Sequence, residues 1–186
     1  MFVRGTGAIE RGWTMELSRW FAAASAAFVL AAATASAERA QARDIVGFSG
    51  GYMAGTVVVK TGERSLYYVL GNGRAVRYPV GVGRAGKQWA GTAIVNGKYL
   101  HPAWTPPAEI RHDKPNLPNV IPGGSGHNPM GAAALTLSAG EYAIHGTNNP
   151  GSIGGQVSYG CIRMYNADIL DLYGRVGFGT PVVVTR

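Results

Sequence analysis

The sequence predicts a mainly β fold, an antiparallel sheet or sandwich with one or two short helices. Short runs of β-branched and aromatic residues recur at close intervals, and turn residues separate them. Only one segment has the apolar spacing of an amphipathic helix. Strands this close together are typical of hairpin connections, so we expect most neighbouring strands to run antiparallel.

The strands are predicted in order along the chain. Residues 55–60 and 65–70 form the first two, and Thr61-Gly62-Glu63-Arg64 between them is a hairpin signal. Gly71-Asn72-Gly73 then turns the chain into a third strand at residues 75–82. Four later runs are further predicted strands: residues 92–95, 135–137, 142–145 and 181–185.

Residues 100–131 are predicted to form a long surface loop. They contain seven prolines and show little periodicity. Loops of this length in a compact domain are usually functional or disordered. We interpret this one as a wall of a substrate cleft.

One helix is predicted near the C-terminus. Asn166 is a suitable N-cap, and Gly174 or Gly177 can end the helix. Its predicted core face comprises Ile169, Leu170, Tyr173 and Val176. We expect this helix to brace the segment around the only cysteine, Cys161.

The N-terminus has the layout of a secretory signal peptide. Residues 16–37 combine a charged start with an apolar stretch and end in Ala35-Ser36-Ala37, which predicts cleavage after Ala37. Met15 is an alternative start. An uncleaved membrane anchor is the competing interpretation, because residues 20–37 carry no charge. The predicted organisation is a signal peptide at 1–37, a linker at 38–54 and one domain at 55–186.

The composition restricts the partners. The formal net charge is +7, and the basic residues are scattered. A basic exported protein suits an acidic wall polymer, although the charge can equally serve solubility. Nucleic acid is not expected, because export and the scatter both disfavour it. No metal site is expected either, since His101, His112 and His127 lack ligand spacing.

Cys161 and His145 carry the strongest chemical signal. Fifteen residues separate them, and these include Gly151, Gly154, Gly155 and Gly160, which let the chain double back. A histidine within hydrogen-bond reach can take the proton of a thiol and stabilise the thiolate, which is a strong nucleophile. The pair therefore indicates acyl transfer. The alternative is a buried structural cysteine beside a hydrogen-bonded core histidine.

The flanking segments resemble a known family. They read Ile144-His145-Gly146-Thr147 and Ser158-Tyr159-Gly160-Cys161-Ile162-Arg163-Met164, with Asn166 following. This pattern resembles the catalytic motif of the L,D-transpeptidase catalytic domain (YkuD-like) family. The resemblance covers about residues 55–185 and implies that family's fold, a β sandwich of mixed sheets.

The resemblance also implies residue roles. Cys161 would be the nucleophile and His145 the base, with the main-chain carbonyl of Gly146 orienting the imidazole. The backbone N–H groups of Tyr159, Gly160 and Cys161 would form an oxyanion hole. A glycine before the nucleophile fits this role, because it has no Cβ to obstruct the approach of N–H groups to a reacting carbonyl.

Three neighbouring features leave alternatives open. Family members usually carry histidine where this chain has Tyr159, which affects side-chain contacts but not the backbone N–H. Arg163 is interpreted as a ligand for a substrate carboxylate or as half of a structural ion pair. Ser158 is assigned to substrate binding, with hydrogen bonds inside its own loop as the structural interpretation.

The function that the resemblance implies is a periplasmic peptidoglycan L,D-transpeptidase and carbapenem target. Tetrapeptide stems would serve as donor and acceptor, D-alanine would leave, and a 3–3 cross-link would form without a cofactor. Water as acceptor would make the protein an L,D-carboxypeptidase, and a lipoprotein lysine would make it an anchoring enzyme. A catalytically weak wall-binding module is the non-enzymatic alternative. No stable membrane insertion is expected after cleavage, and the sequence does not indicate an oligomeric state.

Overall fold

The computed structural model of the protein describes residues 43–186. The predicted signal peptide, the alternative start at Met15 and the first part of the predicted linker lie outside these residues. Neither helix among the described residues has the length and apolar character needed to cross a membrane.

The described residues are mostly strand, with a few short helices and a mixed sheet, as the sequence predicted. The strands are β1 (Asp44–Gly47), β2 (Val57–Lys60), β3 (Ser65–Gly71), β4 (Arg74–Pro79), β5 (Val82–Gly83), β6 (Gly91–Leu100), β7 (Ala133–Leu137), β8 (Ala143–His145), β9 (Gln156–Ser158), β10 (Ile162–Arg163) and β11 (Pro181–Thr185). The helices are α1 (Ala108–Asp113) and α2 (Asn166–Arg175), and residues Pro150–Ser152 form one 3₁₀ turn.

Nine strands form one continuous sheet in the order β1-β4-β3-β2-β11-β6-β7-β8-β10, and β5 pairs with β9 separately. Strand β6 joins the two halves of the large sheet, because its first residues pair with β11 and its later residues pair with β7. The register shifts between Val95 and Gly97, where β6 passes from one half to the other. The pairs β2–β11 and β8–β10 are parallel, which makes the sheet mixed.

The core lies on both faces of β2, whose three valines are fully buried. Val57 and Val59 point into the main hydrophobic cluster, and Val58 points into a smaller one on the opposite face. Phe48 and Tyr52 cover the smaller cluster. The segment that the sequence assigned to a linker, residues 38–54, therefore contains a paired strand, β1, and aromatic side chains that pack on the sheet.

Helix α2 differs from its prediction in two ways. It begins at Asn166, and Tyr165 occupies the N-cap position. The Asn166 Oδ1 atom instead accepts hydrogen bonds from the backbone N–H groups of Ala132 and Thr147, each at 3.0 Å. Leu170 is 44% exposed, because the buried face follows Ile169, Leu172 and Val176. The helix packs on β7 and β8, behind the histidine segment more than behind the cysteine.

Candidate active site

The register of two parallel strands brings the predicted catalytic pair together. Strand β10 lies beside β8, with Ile162 opposite Ile144 and Arg163 opposite His145. Because side chains alternate between the faces of a sheet, Ile144 and Ile162 enter the core, where each is at most 1% exposed. His145 and Arg163 lie on the opposite face. Cys161, one residue before β10, continues that face and lines the same cavity as both of them.

That cavity has a volume of about 820 Å³. Residues 104–111, from the proline-rich loop and α1, line it, together with Pro129 and Met130. Residues 140–142, which precede β8, form another part of the wall. The long loop thus lines a cleft, as the sequence predicted, although it also contains a short helix and pairs with itself at Trp104 and Ile121.

His145 is held as a neutral imidazole. Its side chain is buried, and its Nδ1 atom lies 2.6 Å from the carbonyl oxygen of Gly146, the contact that the resemblance implied. Since a carbonyl oxygen only accepts, Nδ1 carries the hydrogen and Nε2 keeps its lone pair. Burial, together with the nearby charge of Arg163, lowers the pKa of His145 from 6.5 to about 4. At neutral pH the ring is therefore available as a base.

Cys161 is held as a thiol. Burial raises its pKa above the ordinary value, and the backbone of Ala143 and the charge of Arg163 only partly oppose this effect. No hydrogen bond joins its sulfur to the His145 ring in the described residues. The directions of these two pKa shifts favour a neutral thiol beside a neutral imidazole. The physical reason is burial, which disfavours both charged forms.

The loop before the nucleophile is fixed by hydrogen bonds from Ser158. Its hydroxyl donates to the carbonyl oxygen of Cys161 at 2.6 Å and accepts from the N–H of Gly160 at 3.1 Å. Ser158 is only 2% exposed. Ser158 also lines the cavity, but its one hydroxyl hydrogen already serves the loop, which supports the structural interpretation of this side chain.

The predicted place of the Gly160 N–H in an oxyanion hole is corrected. Because its N–H already donates to Ser158, it is not free for an oxyanion. In the described residues the N–H groups of Tyr159 and Cys161 have no hydrogen-bond partner. Glycine is required at 160 for another reason: its φ is +122°, and a Cβ there would collide with the ring of Tyr142.

The side chain of Tyr159 points to α1 and not to the thiol. Its hydroxyl donates to Asp113 Oδ2 at 2.6 Å, and the Arg84 guanidinium lies 4.0 Å above its ring. Arg84 also pairs with Asp113 at 3.1 Å, and Lys87 pairs with Glu109 of the same helix. The Tyr159 hydrogen bond ties the helical wall of the cavity to the loop that carries Cys161, and the two ion pairs tie the same helix to the segment after β5.

Replacing Tyr159 with phenylalanine tests this placement. The change removes the hydrogen bond to Asp113 but keeps the backbone N–H, so the rate of Cys161 acylation by a donor analogue should stay within a few-fold of wild type. A rate about 10²-fold lower would mean that the phenol takes part in the first chemical step. The rate is read from the time course of intact protein mass.

Arg163 has no ion-pair partner among residues 43–186, so the structural alternative for this side chain finds no support. Its Nε atom is buried and also lacks a hydrogen-bond partner there. A buried donor without a partner is costly, and a ligand in the cavity can satisfy it. The two aspartates of α2 do not line the cavity; Asp168 and Asp171 both pair with Arg43.

Sequence reasoning missed several residues that shape the site. Trp89 and Tyr142 stack on each other beside Gly160, and Asp113 anchors Tyr159. Ala143 could have been found, because it lies two residues before His145 and shares its face. The others come from distant loops and carried no local signal. No group of three or more metal-ligating side chains occurs within the part of the chain that the structure describes.

Comparisons with known proteins identify the family of this chain. The family described as L,D-transpeptidase catalytic domain (YkuD) matches residues 54–184. The chain is 41% identical over 135 residues to the probable L,D-transpeptidase YbiS of Escherichia coli, covering 68% of this chain and 43% of that protein. It is 38% identical over 132 residues to the putative L,D-transpeptidase YkuD of Bacillus subtilis, covering 70% of this chain and 65% of that protein.

The fold is also similar to that of solved structures. An L,D-transpeptidase from Mycobacterium smegmatis aligns with a TM-score of 0.57 at 18% identity, covering 70% of this chain and 58% of that one. At this identity the likeness concerns the fold alone. The chain spans about half the length of the curated relatives it matches first.

Proposed function

The chain belongs to the L,D-transpeptidase catalytic domain family, and from this premise we propose that it is a periplasmic, cysteine-dependent peptidoglycan L,D-transpeptidase. One observation carries the proposal: Cys161 and His145 lie on the same face of the sheet and line one cavity. The His145 Nδ1–H donates a hydrogen bond to the carbonyl oxygen of Gly146. The remaining ring nitrogen is a neutral base in the same cavity as a thiol. That arrangement suits acyl transfer.

In the proposed first half-reaction, Cys161 attacks the carbonyl of the third residue of a tetrapeptide stem. The thiol proton passes to Nε2 of His145 as the carbon–sulfur bond forms. The oxyanion then accepts hydrogen bonds from the free N–H groups of Tyr159 and Cys161. When the tetrahedral intermediate collapses, the bond to D-alanine breaks and His145 returns its proton to the departing amine.

In the second half-reaction an amine of another stem attacks the thioester. His145 takes a proton from that amine, the carbon–sulfur bond breaks, and the thiolate recovers the proton. The product is a 3–3 cross-link. Because the resting groups are neutral, the proton moves during attack, and no preformed ion pair is required. Both steps are acyl transfers, which these side chains can perform without a cofactor.

Product analysis tests the proposal. The purified protein is incubated with disaccharide tetrapeptide, and the muropeptides are separated and weighed. Dimers that have lost one D-alanine support the transpeptidase, whereas tripeptides alone would identify an L,D-carboxypeptidase. A peptide ending in the lipoprotein's lysine, added in parallel, would be consumed by an anchoring enzyme. Unchanged tetrapeptide in all reactions would contradict the proposal and favour a wall-binding module.

Arg163 is proposed to bind a carboxylate of the donor. Changing Arg163 to lysine should raise the apparent KM about tenfold with a smaller change in kcat, because an ammonium cannot reproduce the planar two-donor fork. The measurement is the rate of D-alanine release against donor concentration. Arg175→Lys is the matched control, since Arg175 pairs with Asp171 on α2 outside the cavity.

The same measurement is repeated with a donor whose stem carboxylates are amidated. If Arg163 binds a carboxylate, the difference in KM between wild type and Arg163→Lys should disappear with the matching amide. A lower melting temperature of Arg163→Lys, with a KM equal to that of wild type, would show that the residue only supports the fold.

A further inference from the structure

The peptide unit between Gly160 and Cys161 is held by an indole from a distant loop. The Nε1–H of Trp89 donates to the carbonyl oxygen of Gly160 at 3.0 Å. Trp89 lies in the segment between β5 and β6, and its ring stacks on Tyr142 with centroids 4.8 Å apart and planes 6° apart. The stack fixes the direction in which the indole N–H points.

This contact also fixes the N–H of the nucleophile. A trans peptide unit is planar, so its C=O and N–H point in opposite directions. With the Gly160 carbonyl directed at Trp89, the N–H of Cys161 is directed away from it. That N–H has no partner in the described residues, and Cys161 lines the cavity. This N–H is therefore available to donate to an oxyanion.

The neighbouring peptide units have different supports. Ser158 binds the N–H of Gly160 on one side and the carbonyl of Cys161 on the other. Among the described residues, Trp89 is the side chain that binds the carbonyl of the unit between them. Glycine has a wide range of accessible backbone angles, so without this anchor the unit could rotate and turn its N–H away.

We propose that Trp89 is a positioning residue, which holds the Cys161 N–H toward the oxyanion that forms during acylation. The inference rests on the proposed function, because it concerns the first half-reaction of that mechanism. Tyr142 contributes to the arrangement in two ways. Its ring stacks on the indole, and it occupies the space that a Cβ at 160 would need, which restricts this position to glycine.

The test separates oxyanion support from thiol reactivity. Trp89→Phe keeps an aromatic ring on Tyr142 but removes the indole N–H. Two reactions of Cys161 are followed by intact mass: acylation by a carbapenem, which passes through an oxyanion, and alkylation by iodoacetamide, which does not. We expect the maximal acylation rate to fall about tenfold, less than the ~10²–10³ lost when an oxyanion donor is deleted outright. Half-saturation by the carbapenem and the alkylation rate should remain unchanged.

Two further variants make the test specific. Tyr68→Phe is the matched control, since it removes an aromatic donor from another main-chain carbonyl, that of Arg175, outside the cavity. It should acylate at the wild-type rate. Benzothienylalanine at position 89 keeps the bicyclic shape and replaces the N–H with sulfur, so it should reproduce the tenfold loss even if phenylalanine disturbs folding.

Each remaining outcome is decisive. Acylation of both position-89 variants within twofold of wild type would overturn the inference. Equal losses in acylation and alkylation would show that Trp89 only supports the loop, and this would overturn it too. Wild-type protein that alkylates but never acylates would remove the proposed function and this inference with it, and that result is distinct from the others.

Discussion

Replacing Cys161 with alanine should abolish both acylation and turnover. In the proposed mechanism Cys161 supplies the atom that bonds to the donor carbonyl, and in the described cavity no second cysteine can replace it. In a serine protease with a nucleophile–histidine pair, removal of the nucleophile costs on the order of 10⁶-fold in kcat, and we expect a loss of similar size here. The measurement is D-alanine release from disaccharide tetrapeptide, with dimer formation followed in the same samples.

A stability control makes the result interpretable. Cys161 is partly buried, and loss of one sulfur atom should lower the free energy of unfolding by only about 1 kcal/mol. Cys161→Ser keeps nearly the same shape and should melt close to wild type, yet it should also be inactive, because a hydroxyl beside a neutral imidazole is a far weaker nucleophile. Cross-linked dimers from Cys161→Ala would disprove the mechanism.

Replacing His145 with glutamine should slow acylation by about 10²–10⁴-fold. Glutamine is polar and of similar size, but it cannot accept the thiol proton at neutral pH. Because the resting thiol has a raised pKa, the loss of the base leaves little thiolate to react. Raising the pH should therefore restore part of the rate in His145→Gln. A variant that acylates at the wild-type rate at pH 7 would exclude His145 as the base.

The same variant should change how stability depends on pH. The folded-state pKa of His145 is about 4, below the ordinary 6.5, so the unfolded chain binds more protons between these values. The contribution of this group to the free energy of unfolding of wild type should therefore be most favourable above pH 6.5. It should fall by about 3 kcal/mol as the pH falls to 4. His145→Gln should lack that loss, as measured by urea unfolding at several pH values.

A second buried group acts in the opposite direction. Burial raises the pKa of Asp168 to about 6, so its protonation stabilises the fold as the pH falls through the same window. The total slope for wild type is therefore smaller than the histidine alone would give. The difference between wild type and His145→Gln isolates the histidine, because Asp168 is present in both proteins.

The sequence was sufficient for the strands with strong local patterns. Residues 65–70 and 181–185 show β-branched or aromatic runs, and both strands are present with nearly the predicted limits. Strands β9 and β10 were missed because two or three residues carry no recognisable period. Helix α1 was missed because it is one and a half turns long and lies among prolines.

For the site, the sequence was sufficient to name candidate residues but not to predict their surroundings. His145, Gly146 and Cys161 were found from their motif, and their placement in one cavity follows from the register of β8 and β10. The pKa shifts of His145 and Cys161 could not be predicted, because they arise from burial in the folded chain and not from the local sequence. Trp89 also had no signal, since its role depends on one tertiary hydrogen bond.

The central claim is that Cys161 itself carries the donor as a thioester after D-alanine has left. Intact mass of the protein, quenched in acid within seconds of mixing with disaccharide tetrapeptide, tests it most directly. We predict an added mass equal to the donor less D-alanine, located by peptide mapping on the fragment that contains Cys161 and absent from Cys161→Ala. Turnover with no covalent species, or an adduct on any other residue, would contradict the account.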